Sequence, residues 1–121
     1  MAFKDLLAFK KSFVLTMKIF EISKKFPKEE TYSLTDQIRR SSRSVTVNIS
    51  EACRKRLYPK HFISKLTDSD AENSETQTWL MFAEECKYID KAMLDKLVTD
   101  SNEVGKLINY MINNPGKFGA K

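Results

Sequence analysis

The feature that most limits the folds open to this chain is the position of its glycines. The sequence has 121 residues, and the first of its three glycines is Gly105. Glycine supplies the left-handed backbone conformations that tight turns need. Its absence from most of the chain argues against a β-sandwich or barrel, a glycine-rich nucleotide-binding loop and the nucleophile turn of hydrolases. The sequence therefore predicts an all-α protein, and its length predicts a single domain.

Hydrophobic periodicity predicts four amphipathic helices. We expect them at about residues 4–25, 34–54, 59–89 and 91–113. The first helix carries one apolar stripe at spacings of three and four, made of Leu6, Phe9, Phe13, Met17 and Phe20. Ser33 is the predicted N-cap of the second helix, with Asp36 in a capping-box position. Because short loops favour antiparallel neighbours, we predict an antiparallel up-down four-helix bundle over residues 1–114 and a short C-terminal tail, 115–121.

Charge is unevenly distributed along the chain. The formal net charge is +5, which is ordinary for a soluble protein. Residues 1–65 carry 15 basic and 6 acidic side chains, whereas residues 66–121 carry 6 basic and 10 acidic ones. A basic surface attracts polyanions such as RNA or DNA. Two oppositely charged halves can also bring copies of one chain together. The charge pattern therefore favours two kinds of interaction, binding to nucleic acid and self-association.

The second predicted helix carries basic residues suited to phosphate. Arg39, Arg43 and Arg54 project to one side at ~100° per residue, and Lys55 and Arg56 extend the positive charge past the helix end. Arginine donates two parallel hydrogen bonds to phosphate oxygens. These five residues are therefore candidate nucleic-acid contacts. The alternative is a solvated charged face without a ligand.

A polar stripe lies beside the core stripe of the same helix, and the core stripe consists of Leu34, Ile38, Ser41, Val45, Ile49 and Ala52. The members of the polar stripe are Gln37, Arg40, Ser44, Asn48 and Glu51. Polar groups at a core boundary need partners, because a buried group left unpaired costs about 1–3 kcal/mol. The spacing allows Arg40 to reach Ser44, and Asn48 to reach Glu51. We interpret the stripe as a hydrogen-bond network that fixes helix register or a subunit contact; a ligand or RNA pocket is the alternative.

The third predicted helix has two stripes that could bind a neighbour. One has a polar middle and consists of Phe62, Leu66, Ser69, Asn73, Thr76 and Leu80. The other lies roughly 100–120° away and consists of Glu75, Trp79, Phe82 and Cys86. Because a four-helix core does not readily use both, Trp79 and Phe82 are candidate residues of an oligomer interface. The alternative is a wide core stripe with Trp79 at its edge.

The sequence offers few groups for catalysis or metal binding. His61 is the single histidine, so the paired glutamate and histidine ligands of a di-iron bundle are missing. Cys53 and Cys86 have no metal-ligand spacing and are expected to be reduced thiols. We therefore expect neither an enzyme nor a metal or cofactor. The lack of a signal-peptide pattern and of an apolar run near ~18 residues favours a cytoplasmic protein without membrane contact.

Motifs in the second and third helices resemble the four-helix bundle proteins encoded in intervening sequences of 23S rRNA. The segment from Leu34 to Arg40, followed by Ser44, Asn48, Ile49 and Glu51, is similar to that family's signature. Weaker similarity is found at Phe26, Pro27, Glu30 and Tyr32, and again at Ser69, Glu72, Glu75, Thr76, Trp79 and Leu80. The resemblance covers about residues 3–112. The chain departs from the family at Ala52, where a glycine is usual, so the second helix is expected to continue past it.

The resemblance implies a four-helix bundle that assembles as a homopentamer and is not known to be an enzyme. A related branch is the accessory protein of diversity-generating retroelements, a basic pentamer that associates with a reverse transcriptase and nucleic acid. The resemblance thus implies self-assembly, RNA or DNA, and a protein partner such as a reverse transcriptase. It also adds Glu72 and Glu75 to the polar network, and Arg39 or Arg40 of one subunit could pair with them in another.

Overall fold

The computed structural model describes residues 2–120; Met1 and Lys121, the ends of the predicted spans, lie outside the described residues. It contains the α-helices α1 (Leu7–Ser23), α2 (Leu34–Cys53), α3 (Pro59–Glu85) and α4 (Lys91–Asn113). Three 3₁₀ helices, Phe3–Asp5, Lys28–Glu30 and Pro115–Phe118, flank them. No β-strand occurs between residues 2 and 120, which confirms the predicted all-α class. As expected, α2 continues past Ala52.

Two predicted helix ends are wrong, and the backbone gives the reason for each. Leu6 has an extended backbone (φ −70°, ψ 134°), so α1 begins at Leu7 rather than near residue 4. The second wrong end is that of α3, which ends at Glu85 rather than near residue 89. Lys87 adopts a left-handed φ of 65°, and the Tyr88 N–H donates to the Ala83 carbonyl at 2.8 Å. This pair of features is the usual way in which a left-handed residue closes a helix.

The predicted capping box at the start of α2 is also wrong. The Ser33 hydroxyl does not cap the helix but donates to Glu30 Oε1 at 2.6 Å. The same carboxylate oxygen accepts the Leu34 N–H at 3.3 Å, so Glu30 takes the role that was assigned to Ser33 and Asp36. Tyr88 donates to the other Glu30 oxygen at 2.9 Å. These hydrogen bonds, that of Ser33 first, lower the pKa of Glu30, and the Glu30 contact raises the pKa of Tyr88 to about 12.

Each helix packs against two others, and the hydrogen bonds between them show the order of contact. Helix α2 lies against α1 and α3, and α4 lies against α3 and α1. Thr16 of α1 donates to the Ser42 carbonyl of α2 at 2.8 Å, whereas Thr46, further along α2, donates to the earlier Ser12 at 2.9 Å. Moving forward along α2 therefore means moving backward along α1. This order is compatible with the predicted up-down arrangement.

A layer of small polar side chains crosses the apolar core. Large buried residues include Ile19, Ile38, Ile49, Phe62, Leu66, Leu80, Leu97 and Ile108. Between them, Ser41 and Thr76 share a hydrogen bond of 2.9 Å, and Ser69 donates to the Val45 carbonyl at 2.7 Å. Asn73 and Ser101 exchange two hydrogen bonds of 2.9 Å between α3 and α4. Buried polar groups need hydrogen-bond partners, and here the partners lie on neighbouring helices.

Gly105, the first glycine in the chain, lies next to this layer. A Cβ atom at that position would stand 3.3 Å from Asn73 Nδ2, which is tighter than an ordinary contact. Glycine in a helix interior costs about 1 kcal/mol relative to alanine. Its presence in α4 is therefore explained by the close approach of the Asn73 amide rather than by a turn.

The middle of the apolar stripe predicted on α1 does not face the core, although Leu6 at its start is buried and Phe9 packs against the core. Phe13 is 52% exposed and Met17 is 45% exposed, whereas Leu15 and Ile19 are buried. By helical arithmetic, the buried face lies roughly 110° from the predicted stripe. The buried face also carries Ser12, Thr16 and Ser23, whose small side chains let α1 approach α2 closely. The larger side chains are consequently left on the surface.

The predicted C-terminal tail packs on the bundle. Its 3₁₀ helix, Pro115–Phe118, contacts α4 and α3, and Ala120 is buried. Gly119 has a φ of 88°, and its backbone lies against the side chain of Arg56. None of the helices between residues 2 and 120 is long and apolar enough to cross a lipid bilayer.

Candidate nucleic-acid interface

The five basic residues predicted to contact nucleic acid fall into two groups. Arg39 is half-buried, and its Nε donates to Ser23 Oγ of α1 at 2.8 Å. Its guanidinium carbon stands 4.8 Å from the centre of the Phe20 ring, within the range of a cation–π contact. Arg43 is exposed and lies 5.7 Å from the same ring. Arg39 therefore joins α2 to α1, and its guanidinium is already engaged within the bundle.

Arg54, Lys55 and Arg56 form the second group, in the connection between α2 and α3. We call residues 54–61 the basic turn. Arg54 and Lys60 are exposed, and Lys55 is half-buried. The segment contains four Lys or Arg residues, His61 and no carboxylate. Within residues 2–120, none of these four cations forms a salt bridge, whereas nearby Lys65 pairs with Glu51 at 3.0 Å.

Arg56 differs from its neighbours because it packs inward. Its Cδ would lie 3.1 Å from a Cβ at Gly119, so its side chain runs along the C-terminal segment. The Nε and Nη2 atoms are buried and have no hydrogen-bond partner among residues 2–120. Burial raises the pKa of the neighbouring Cys53 thiol, and the Arg56 charge opposes that rise. Arg56 is thus a fixed positive charge beneath the basic turn rather than a mobile surface group.

Two exposed apolar side chains stand within the basic turn. Leu57 is 86% exposed and Tyr58 is 62% exposed. The Tyr58 ring centre lies 6.0 Å from that of His61, which is also exposed, with the planes at 67°. Sequence reasoning assigned no function to Tyr58 or Lys60. The signal that could have revealed them is the run from Arg54 to His61, which combines four cations and a tyrosine and contains no carboxylate.

The predicted polar stripe forms only part of the expected network. Asn48 donates to both the carbonyl and the hydroxyl of Ser44, each at 3.0 Å. Glu51 pairs with Lys65 of α3 rather than with Asn48. Arg40 is exposed and has no ion-pair partner within 4.0 Å among residues 2–120. The pair between Asn48 and Ser44 is therefore intrahelical, Glu51 is paired with α3, and Gln37 and Arg40 remain in contact with solvent.

These open groups line a groove of about 450 Å³ between α2 and α3. Its lining includes Gln37, Arg40, Arg43, Ser44, Glu72 and Glu75. Burial raises the pKa of Glu72, and the negative charge of Glu75 adds to this effect, while the Arg40 charge opposes it. The groove thus brings together five of the seven predicted network residues, without Asn48 and Glu51. It carries charges of both signs and is a poor match for a polyanion.

The two residues predicted at an oligomer interface lie beside this groove on α3. Trp79 is half-buried against the core, and its indole N–H donates to Glu75 Oε2 at 3.0 Å. Phe82 is exposed, and its ring centre stands 5.8 Å from that of Trp79. Trp79 is thus partly a core residue, whereas most of Phe82 is available for contact. Among residues 2–120, no three His, Cys, Asp or Glu side chains cluster so that they could hold a metal ion.

Comparison with known proteins identifies the family. The family model described as 23S rRNA-intervening sequence protein matches residues 4–110. A solved structure of a protein of unknown function from the S23 ribosomal protein family of Bacteroides thetaiotaomicron is similar, with a TM-score of 0.79 and 29% sequence identity. The similarity covers 88% of this chain and 98% of that one. No curated protein matches the sequence. The family match spans most of the chain, so this protein belongs to the 23S rRNA-intervening sequence proteins.

Proposed function

We propose that this chain is a non-enzymatic, cytoplasmic RNA-binding protein, built as an antiparallel up-down bundle, which contacts phosphates through its basic turn. The observation that carries the proposal is the uncompensated charge of Arg54, Lys55, Arg56 and Lys60. Neutralising phosphates releases the counterions condensed around a nucleic acid, and this release supplies most of the sequence-independent affinity.

Charge pairing elsewhere in the bundle supports this choice of surface. Lys11 pairs with Glu103, and Lys18 pairs with Asp100 at 3.1 Å, so these lysines of α1 are balanced by carboxylates of α4. Arg39 is already held by Ser23 and Phe20. The basic turn is where several cations lie close together without such carboxylate partners among the described residues. Its cations are therefore free to attract a polyanion together, at one place on the surface.

The proposed function predicts strongly salt-dependent RNA binding. A fluorescently labelled RNA is titrated with the protein at several salt concentrations between about 50 and 200 mM, and binding is followed by anisotropy. Three to five neutralised phosphates give a slope of log K against log salt of roughly −2 to −4. A protein that binds no RNA at the lowest salt, or whose slope is near zero, would contradict the proposal.

A second candidate function is self-assembly, which includes the homopentamer implied by the family resemblance. It is favoured by an apolar groove of about 560 Å³ between α1 and α4. Phe13, Val14 and Met17 of α1 line this groove and are about half exposed, and Met93 and Leu97 of α4 complete it. Exposed apolar patches of this kind often mark protein interfaces, and a second copy or a protein partner such as a reverse transcriptase could cover it.

Self-assembly through this groove predicts that replacing Phe13 and Met17 with serine lowers the molar mass in solution. Both side chains are about half exposed, so the fold of one subunit should lose little stability. The mass is measured by light scattering with size-exclusion chromatography over a range of protein concentrations. Leu57→Ser is the control, because Leu57 is exposed and apolar but lies outside the groove. A wild-type monomer, or a double variant that keeps the wild-type mass, would contradict this assignment.

A further inference from the structure

We infer that the basic turn recognises single-stranded nucleic acid, by stacking an unpaired base on the ring of Tyr58. This inference rests on the proposed function and deepens it, since it names the class of nucleic acid that the same surface binds. The juxtaposition that carries it is an aromatic ring, 62% exposed, inside a segment with four cations and no carboxylate. Surfaces that bind single strands combine these two elements, cations for the backbone and aromatic rings for the bases.

The backbone of Tyr58 is fixed, although its side chain is exposed. The Tyr58 N–H donates to the Lys55 carbonyl at 2.9 Å. The Tyr58 carbonyl accepts the N–H groups of His61 at 2.9 Å and Phe62 at 3.0 Å, which begin α3. Pro59 occupies the first position of α3, and a proline restricts the residue that precedes it. The side chain therefore leaves the backbone at a defined place, and a base that stacks on the ring orders little additional backbone.

The surroundings of the ring favour a base over an apolar protein partner. Arg54, Lys55, Arg56 and Lys60 flank Tyr58 in sequence, and an apolar partner would have to remove some of them from water without a carboxylate to pair with. A nucleic acid strand brings phosphates to these cations at the same time as it brings a base to the ring. Leu57, 86% exposed, adds an apolar side chain next to the ring that a splayed base can cover.

Stacking would also make the basic turn discriminate between single strands and duplexes. Bases in a double helix are already stacked and paired, so a duplex offers its phosphates to the turn but no free base face. The phosphates of both forms meet the same cations. The inference therefore concerns the part of the affinity that is specific to single strands, whereas the proposed function concerns the part that both forms share.

The test compares Tyr58→Ala and Tyr58→Phe in their binding to a short unstructured RNA and to the duplex that it forms with its complement. Loss of one stacked base corresponds to a roughly 5- to 150-fold weaker affinity for the single strand. We expect Tyr58→Ala to show this loss with an unchanged salt slope, Tyr58→Phe to bind like the wild type, and neither to change duplex binding. Tyr32→Ala is the matched control, because Tyr32 is 93% exposed but lies outside the basic turn.

The outcomes separate this inference from the proposed function. If the wild type binds both RNAs and Tyr58→Ala binds each of them as tightly as the wild type does, stacking on Tyr58 is wrong while the proposed function stands. An equal loss for single strand and duplex would also overturn stacking, since the ring would then act by positioning the cations. A wild type that binds neither RNA would remove the proposed function and with it this inference.

Discussion

Replacing Arg54, Lys55 and Lys60 together with glutamate is expected to weaken RNA binding at least about 100-fold near about 50 mM salt. The three substitutions remove three cations and add three anions at the surface that meets the phosphates. Each lost phosphate contact also lowers the magnitude of the salt slope, so the slope of the variant should be smaller by about two. Anisotropy titrations of wild type and variant over the same salt series measure both quantities.

Arg56 is left unchanged in this variant because it packs against Gly119, and its replacement would disturb the C-terminal segment. The matched control replaces Lys25, Lys28 and Lys87 with glutamate, which gives the same net charge at exposed positions far from the basic turn in sequence. The control should keep most of the wild-type affinity, since a general change of net charge acts only through screened long-range attraction. Equal losses in the two variants would show that overall charge, not the basic turn, determines RNA binding. Urea unfolding confirms that both variants keep the wild-type fold.

The helices could be predicted from the sequence wherever one face of a helix is distinctly apolar. The buried residues of α2 include Leu34, Ile38, Val45 and Ile49, all of them members of its predicted core stripe. The predicted stripe of α1 is wrong at Phe13 and Met17, which are about half exposed, because large apolar side chains do not by themselves define the buried side. The close packing of α1 and α2 depends on small hydroxyl side chains instead, and hydropathy patterns give these little weight.

The candidate site was predicted only in part, since helical arithmetic places residues on a face but not against a neighbour. Arg39 and Arg43 do share a side of α2, but Phe20 of α1 lies opposite them. Arg54 comes eleven residues after Arg43, or roughly 16 Å further along the helix axis. Whether Arg40 meets a carboxylate also depends on the distance between α2 and α3. No pattern within one helix can supply that distance.

The largest expected effect on stability comes from Asn73→Asp in the buried polar layer. The substitution preserves the volume of the side chain, so it leaves no cavity. The Asn73 amide is buried at 5% exposure and donates to the Ser101 carbonyl at 2.9 Å, and a carboxylate there would face that oxygen without a proton to donate. Burial disfavours the ionised form, so the pKa of the aspartate rises in the folded state. At pH 7 the free energy of unfolding should fall by about 4 kcal/mol, the cost of protonating a carboxyl whose pKa in the unfolded chain is about 3.9.

The pH dependence of this loss distinguishes a buried charge from a general disturbance of packing. The folded state binds the extra proton, so the loss should shrink by about 1.4 kcal/mol for each pH unit from neutrality down toward about pH 4, where the unfolded chain also becomes protonated. The neutral acid can then donate its hydrogen to the Ser101 carbonyl, as the amide does. Asn102→Asp, next to Ser101 but exposed, is the control and should change stability by less than about 0.5 kcal/mol at every pH. Urea unfolding at several pH values measures both variants against the wild type. A loss at Asn73 that is constant with pH would mean that water reaches this layer, and that the contact between α3 and α4 is looser than its hydrogen bonds indicate.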